Sequence, residues 1–417
     1  MEHTLIQTLK DLRGNPRVCV FTEPMWGLSM NLCLPYASVF MLALGLNDLQ
    51  VGITASIYMF SQMIFSLLSG IITDKLGRRL TTAVFDFIAW SVPCLIWAFA
   101  ENFWFFAVAA VFNGAMKITT VSWDCLLIED AEKHMITRIY SWVIICGNLS
   151  ALFAPIASIL VSRLTLVPAV RILYINAFVV MTLKLVILYF RSKETRQGAI
   201  RVQETSGQSV LTLLAGYKDV IRQMFKSQGI LFSVIVSVLV EIIAMINLTF
   251  WQIIASKRIG VSDQWLPLFP MLRSVIAIVF FFTIISRINQ SKLKFPLIAG
   301  YSSAFTGSLI LILLPQGIVG YIGLIVSLIF DSLGSALLAT LRESIVALQA
   351  DPHERSRVMA VLHTFVMLVS VPFGYIAGLL SEYSRALPFA LNMVLLLAGI
   401  VTALVYFSRE QKILECR

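Results

Sequence analysis

The chain has 417 residues, of which 58% are hydrophobic and only 13% are charged, with a formal net charge of +9. Soluble globular domains are about 25% charged, so this composition excludes an ordinary soluble protein and predicts an integral membrane protein. The basic residues cluster in short polar segments between apolar runs, so the positive charge predicts membrane topology and no nucleic-acid partner.

Apolar runs of about 20 residues follow one another along the chain, and each is long enough to cross the hydrocarbon core of a bilayer. They are too long for the short alternating strands of an outer-membrane barrel. The sequence therefore predicts an all-α integral membrane protein with twelve transmembrane helices. The predicted spans are 18–44, 50–73, 80–100, 103–127, 137–163, 168–190, 229–255, 264–286, 295–314, 317–341, 358–380 and 386–407.

A polar stretch at about 191–226 falls midway along the chain and has the composition of a linker. We therefore expect an N-terminal six-helix bundle over 1–190, a cytoplasmic linker over 191–227 and a C-terminal six-helix bundle over 228–417. The halves are similar to each other. Residues 45–48 (Gly-Leu-Asn-Asp) recur as 260–263 (Gly-Val-Ser-Asp), and Arg138 aligns with Arg357 at an offset of 219. Most of the 32 basic residues fall in loops on one side, which predicts that both termini are cytoplasmic.

The most specific motif is the polar island 70–79, GIITDKLGRR, between the second and third predicted spans. Gly70, a small residue that permits close helix contact, is followed by Asp74, the turn residue Gly77 and the arginines Arg78 and Arg79. This spacing resembles the loop signature of the major facilitator superfamily, G-x-x-x-D-[RK]-x-G-R-[RK]. The resemblance implies two pseudo-symmetric six-helix halves with the substrate site at their interface near midplane. It also implies that helices 1, 4, 7 and 10 line the central cavity.

By the same resemblance, Asp74 would pair with an arginine and with helix N-termini at the cytoplasmic side and so latch one conformational state. An acid near a helix N-terminus is stabilised by the helix dipole, and arginine offers a forked donor. The simpler alternative is that these charges only set the topology. The predicted conformational latch consists of Gly70, Asp74, Gly77, Arg78, Arg79 and Arg138.

Ionisable groups inside membrane spans are costly and usually face a cavity or a partner. The residues predicted to form the substrate or ion pathway are Asn113, Lys117, Asp124, Glu241, Arg273, Asp331, Trp26, Tyr36 and Trp251. For Asp331 and Glu241 two alternatives stay open, a proton or substrate carrier and a structural ion pair with Arg273. The acid farther from Arg273 should be the better proton carrier, and the sequence favours Asp331 because its helix should lie closer to the centre.

We therefore predict a secondary active transporter that moves a small organic solute by alternating access, coupled to protons, with export favoured over uptake. The alternatives are a sugar or organic-acid importer of the same superfamily and a transport-inactive membrane receptor. No phosphate-binding loop, H-E-x-x-H motif or metal-ligand spacing is present, so the sequence predicts no enzyme, no cofactor and no metal site. We expect a multi-pass monomer in the lipid bilayer of a bacterial inner membrane.

Overall fold

The computed structural model describes residues 9, 11–132, 135–207, 209, 228–283, 293–349 and 355–415. Every regular element in these ranges is helical. Twelve of these helices are long and apolar enough to cross a membrane, and we label them α1 to α12 in chain order. They are Gly14–Ala43, Asp48–Leu76, Arg78–Ala98, Phe103–Ile128, Arg138–Leu164, Leu166–Arg191, Gln228–Ile259, Asp263–Phe280, Lys294–Leu313, Ile318–Arg342, Val361–Tyr383 and Leu387–Ser408.

The last three helices continue beyond these spans, over Ile318–Gln349, Arg355–Tyr383 and Leu387–Glu415. A further helix, Arg196–Thr205, follows α6, and we call it the linker helix. A helix satisfies its own backbone hydrogen bonds, which is the condition for crossing hydrocarbon. The expected all-α fold with twelve candidate transmembrane helices is confirmed.

The chain divides into two compact units. Unit 1 comprises Met1–Gly45 and Ile57–Gly216, and unit 2 comprises Leu46–Ser56 and Tyr217–Arg417. The linker helix thus belongs to unit 1, and the first part of α2 belongs to unit 2. Residues 210–227 of the predicted linker lie outside the described residues.

Each unit has an apolar core built from several of its helices. In unit 1, residues of α1, α4, α5 and α6 meet around Cys19, Leu126, Ile139 and Leu188. In unit 2, residues of α7, α9, α10 and α12 meet around Tyr301. These cores fix the helices that carry the buried charges.

The start of α2 packs closely on α11 within unit 2. A Cβ at Gly52 would lie 2.6 Å from the Cα of Gly378 and would overlap the carbonyl of Gly374. Ser56 donates to the carbonyl of Val371 and accepts from the amide of Tyr375. Glycine is needed at these positions because the two backbones touch.

Candidate functional site

The turn between α2 and α3 is built around Gly77, which has a φ of +81° and precedes the first residue of α3. A helix begins with amide groups that lack intrahelical partners, and glycine has no side chain to cap them. Glu194, just after α6, supplies the cap. Its carboxylate accepts from the amides of Arg78 at 2.8 Å and Arg79 at 3.0 Å.

The carboxylate of Glu194 fits against two glycines. A Cβ at Gly77 would lie 2.7 Å from it, and a Cβ at Gly198 on the linker helix would overlap it. Larger residues at either position would displace Glu194. Glycine at positions 77 and 198 therefore leaves room for the carboxylate of Glu194 and restricts where it can lie.

Asp74, at the end of α2, binds two arginines. Its carboxylate accepts from Arg78 at 3.0 Å and from Arg201 of the linker helix at 2.7 Å. Arg78 also pairs with Glu129 at the end of α4, at 3.0 Å. The hydrogen bond from Arg201 to Asp74 raises the pKa of the Arg201 guanidinium.

Thr195 completes the cluster. Its hydroxyl donates to Glu129 and accepts from the amide of Gly198, so it caps the linker helix. We call the set of Asp74, Arg78, Glu129, Glu194, Thr195 and Arg201 the turn network. It joins α2, α3, α4 and the linker helix within unit 1, and charge-assisted hydrogen bonds of this kind are the strong ones.

Three members of the predicted latch, Gly70, Arg138 and Arg79, contribute no side chain to the turn network. A Cβ at Gly70 would have no atom within 4 Å, so the close helix contact expected there is wrong for this structure. Arg138 forms no ion pair with any described residue, because Asp74 and Glu129 bind Arg78 and Arg201 instead. Arg79 points away from the acids, with its Nε donating to the carbonyl of Tyr189 at 2.8 Å.

Unit 1 contains a second cluster of charges, inside the membrane helices. Lys184 of α6 pairs with Asp86 of α3 at 3.4 Å, and both are almost wholly buried. Glu23 of α1 lies within electrostatic range of Lys184, Asp86 and Asp124. Asp124 of α4 is hydrogen bonded to Tyr140 of α5. Two acids, Asp86 and Glu23, thus share Lys184 in this part of the described chain.

Among the described residues of unit 2, two ion pairs join charged side chains of two membrane helices. Arg273 of α8 donates to Asp331 of α10 at 2.6 Å. Asp331 also accepts from Asn247 of α7, which in turn accepts from Asn392 of α12, so a polar chain crosses four helices. The second pair joins α7 and α10.

Glu241 of α7 pairs with Arg342 of α10 at 3.1 Å. The sequence placed Arg342 in a loop, but α10 continues past it to Gln349. Arg273 binds Asp331 and not Glu241. By the criterion that the better proton carrier lies farther from Arg273, the preference for Asp331 is therefore wrong. The contacts of Asp331 are those of the alternative, a structural ion pair with Arg273.

The two units differ at one pair of matching positions. Glu241 follows Glu23 by 218 residues, and Arg342 follows Asp124 by the same interval. This interval is one residue shorter than the offset of 219 at which Arg138 aligns with Arg357. Helices α1 and α4 therefore carry an acid at each of these positions, whereas α7 and α10 carry an acid paired with an arginine. The same interval separates Asn113 from Asp331.

Contacts within their own units are observed for three of the remaining predicted pathway residues, Asn113, Trp26 and Trp251. Asn113 donates to the carbonyl of Ala89 on α3 at 2.7 Å, and Lys117 lies half-buried two turns from Asp124. Trp26 packs edge-on against Trp90, with 5.4 Å between ring centroids. Tyr36 is fully buried, and Trp251 is buried against Phe269. Their role in a pathway stays a prediction.

Sequence reasoning missed Glu23, Glu194 and Arg201. Glu23 carried a usable signal, because it is an acid inside the first apolar run and the rule for buried charges applies to it. Glu194 and Arg201 gave no such signal, since they lie in the polar linker and reach α3 and Asp74 only through the fold.

Comparisons with known proteins agree with this architecture. The sequence model of the Major Facilitator Superfamily matches residues 25–331, and the chain belongs to this superfamily. No curated protein sequence matches the chain.

Solved transporters share the fold at low sequence identity. The nucleoside transporter NupG is 15% identical with a TM-score of 0.72, covering 94% of this chain and 99% of that one. A POT family transporter in complex with 5-aminolevulinic acid is 14% identical with a TM-score of 0.72, covering 98% and 100%. The peptide transporter POT in complex with sulfate is 16% identical with a TM-score of 0.70, covering 98% of each chain.

Proposed function

We propose that this superfamily member is a secondary active transporter that moves a small organic solute by alternating access and is driven by protons. Nucleoside and peptide transporters share its fold, which supports a small polar cargo. We further propose that it works as a monomer in a bacterial inner membrane, exports rather than imports, and keeps both termini in the cytoplasm. The excess of basic residues on one side supports that orientation.

The observation that carries proton coupling is the uneven pairing of the membrane acids. Asp86, Asp331 and Glu241 each have a cation within salt-bridge distance. Glu23 and Asp124 have no cation at that distance among the described residues, and Glu23 lies within electrostatic range of Lys184, Asp86 and, more weakly, Asp124. Two carboxylates repel when both are ionised, and one bound proton removes that repulsion. This acid pair is therefore suited to load and release a proton during the transport cycle.

The test needs a cargo, which a thermal-shift screen across solute classes identifies because a bound ligand stabilises the folded protein. In proteoliposomes, we expect Glu23→Gln and Asp124→Asn to abolish solute movement driven by a pH gradient. Both variants should keep solute exchange at equal pH, since exchange needs no net proton movement. The matched control is Glu382→Gln, which removes an exposed acid at the end of α11 and should behave as wild type.

Other outcomes separate the alternatives. A full response to the gradient in both Glu23→Gln and Asp124→Asn rejects the acid pair as the carrier, and a wild type that ignores the gradient rejects proton coupling. Solute that enters down an inward proton gradient identifies an importer. Solute that binds but never crosses identifies a receptor. We expect Asp331→Asn to lower thermal stability, since it leaves Arg273 without its carboxylate partner.

A further inference from the structure

The outer surface of unit 1 carries an apolar groove between α3 and α6. Its volume is about 500 Å³. The residues that line it are Leu80, Ala83, Val84, Phe87, Ile88, Thr182, Leu185, Val186, Tyr189 and Phe190. At the inner end of the groove, the hydroxyl of Thr182 donates a hydrogen bond to the hydroxyl of Ser91 at 3.1 Å. The groove therefore has an almost wholly apolar lining and lies between two membrane-spanning helices.

The dimensions of the groove match one leaflet of the bilayer. It extends over eight residue steps on each helix, which is about 12 Å at the helical rise of 1.5 Å per residue. One leaflet contributes about half of a hydrocarbon core of about 30 Å. The groove thus begins at the α2–α3 turn and reaches most of the way to the bilayer midplane, along the path of a lipid chain.

A positive charge sits at the turn end of the groove. The guanidinium of Arg79 lies over the ring of Tyr189 at 4.2 Å, and its Nε donates to the carbonyl of the same residue. No described acid forms an ion pair with Arg79, and the nearby Glu194 is bound to backbone amides. Arg191, which follows the groove residue Phe190, is exposed.

The two arginines of the loop motif therefore differ in what they can bind. Arg78 is buried and holds Asp74 and Glu129. Arg79 keeps the rest of its guanidinium for a partner from outside the chain, and stacking on Tyr189 fixes the direction in which it points. A phosphate is the partner that a guanidinium at a membrane boundary suits best.

We propose that this groove is a binding site for an anionic phospholipid. One acyl chain lies between α3 and α6, and the headgroup phosphate is bound by Arg79, with Arg191 adding to the positive field. The occupant belongs to the leaflet on the side of the α2–α3 turn. Because the amide of Arg79 donates to Glu194, the lipid phosphate would lie directly beside the turn network.

The test is to purify the full chain in detergent and measure binding of phosphatidylglycerol and phosphatidylcholine of identical chain length by native mass spectrometry. Wild type should prefer phosphatidylglycerol at least fivefold, the effect expected of one basic side chain near an anionic surface. Arg79→Gln should remove that preference. Arg163→Gln is the matched control, because it removes an exposed arginine at the opposite membrane face and should keep the preference.

A second pair of variants tests the groove itself. Val84→Trp places an indole at the exposed rim, and Ala83→Phe fills the floor, so each should weaken binding of both lipids. Wild-type binding by whichever of these variants folds, or an unchanged preference in Arg79→Gln, overturns the proposal. Competition by soluble glycerol phosphate as strong as that by intact lipid would also overturn it, since the site would then bind an anion without its acyl chain.

Discussion

The cap that Glu194 places on α3 can be tested by replacing it with glutamine, which keeps the size of the side chain and removes its charge. In wild type the two carboxylate oxygens accept from the amides of Arg78 and Arg79. The amide of Gln has only one oxygen, so one of these hydrogen bonds is lost and the other becomes neutral. Because the carboxylate also accepts from the amide of Thr195 at 3.2 Å, the perturbation affects the first turn of α3 and the start of the linker helix.

The magnitude follows from those two bonds. A hydrogen bond to a charged group contributes about 1.5–3 kcal/mol. Glu194 is only half-buried, so we expect the lower part of this range, about 1.5–2 kcal/mol. Since about 1.36 kcal/mol corresponds to a factor of ten, the amides at the start of α3 should open about 10 to 30 times more often.

Hydrogen–deuterium exchange measured by mass spectrometry reports this local opening directly. Peptides that cover 74–84 and 192–205 should lose protection by that factor in Glu194→Gln. The control is Glu204→Gln on the same linker helix, whose exposed carboxylate pairs with Arg201 at 2.8 Å. Exposed ion pairs contribute little, so its exchange should change less than threefold. Equal protection in wild type and Glu194→Gln, or an equal loss in both variants, would refute the reasoning.

Two further predictions concern the same helices. Asp74→Asn removes the charge that binds Arg78 and Arg201. We expect transport in proteoliposomes to fall at least tenfold, while the expression level and the thermal midpoint stay near those of wild type. Transport at the wild-type rate would contradict this prediction. Gly52→Ala should lower the thermal midpoint because its Cβ meets the backbone of Gly378, and such overpacking costs about 1–3 kcal/mol. Gly70→Ala on the same helix is the control and should leave the midpoint unchanged.

The sequence predicted the membrane helices well because length and hydropathy decide them. The predicted spans 50–73 and 80–100 correspond to Asp48–Leu76 and Arg78–Ala98, and the turn between them carries the superfamily motif. The end of α10 was predicted less well. The apolar run stops at 341, but the helix continues, so Arg342 lies beside Glu241 and not in a loop. Hydropathy marks the hydrocarbon and does not mark where a helix ends.

Pairings between helices were the least predictable part of the site. Arg273 could face either Asp331 or Glu241, because spacing along a helix fixes which residues share a face but not which neighbour that face meets. The partners of the α2–α3 turn were harder still. Glu194 lies 116 residues after Arg78, in a polar segment whose composition indicates only a linker. No local sequence pattern predicts that the segment after α6 contacts the α2–α3 turn.

The internal repeat gives a physical reason to treat the two units as chemically different. At the unit 2 positions of this repeat, Glu241 pairs with Arg342 at 3.1 Å. The matching positions of unit 1 hold two acids, Glu23 and Asp124, and no described arginine forms an ion pair with either of them. In the proposed mechanism, the acid that replaces an arginine at this repeat position would provide the site whose charge depends on proton supply. In a transporter built from two related halves, that asymmetry would let one half bind the coupling ion while the other keeps a constant field.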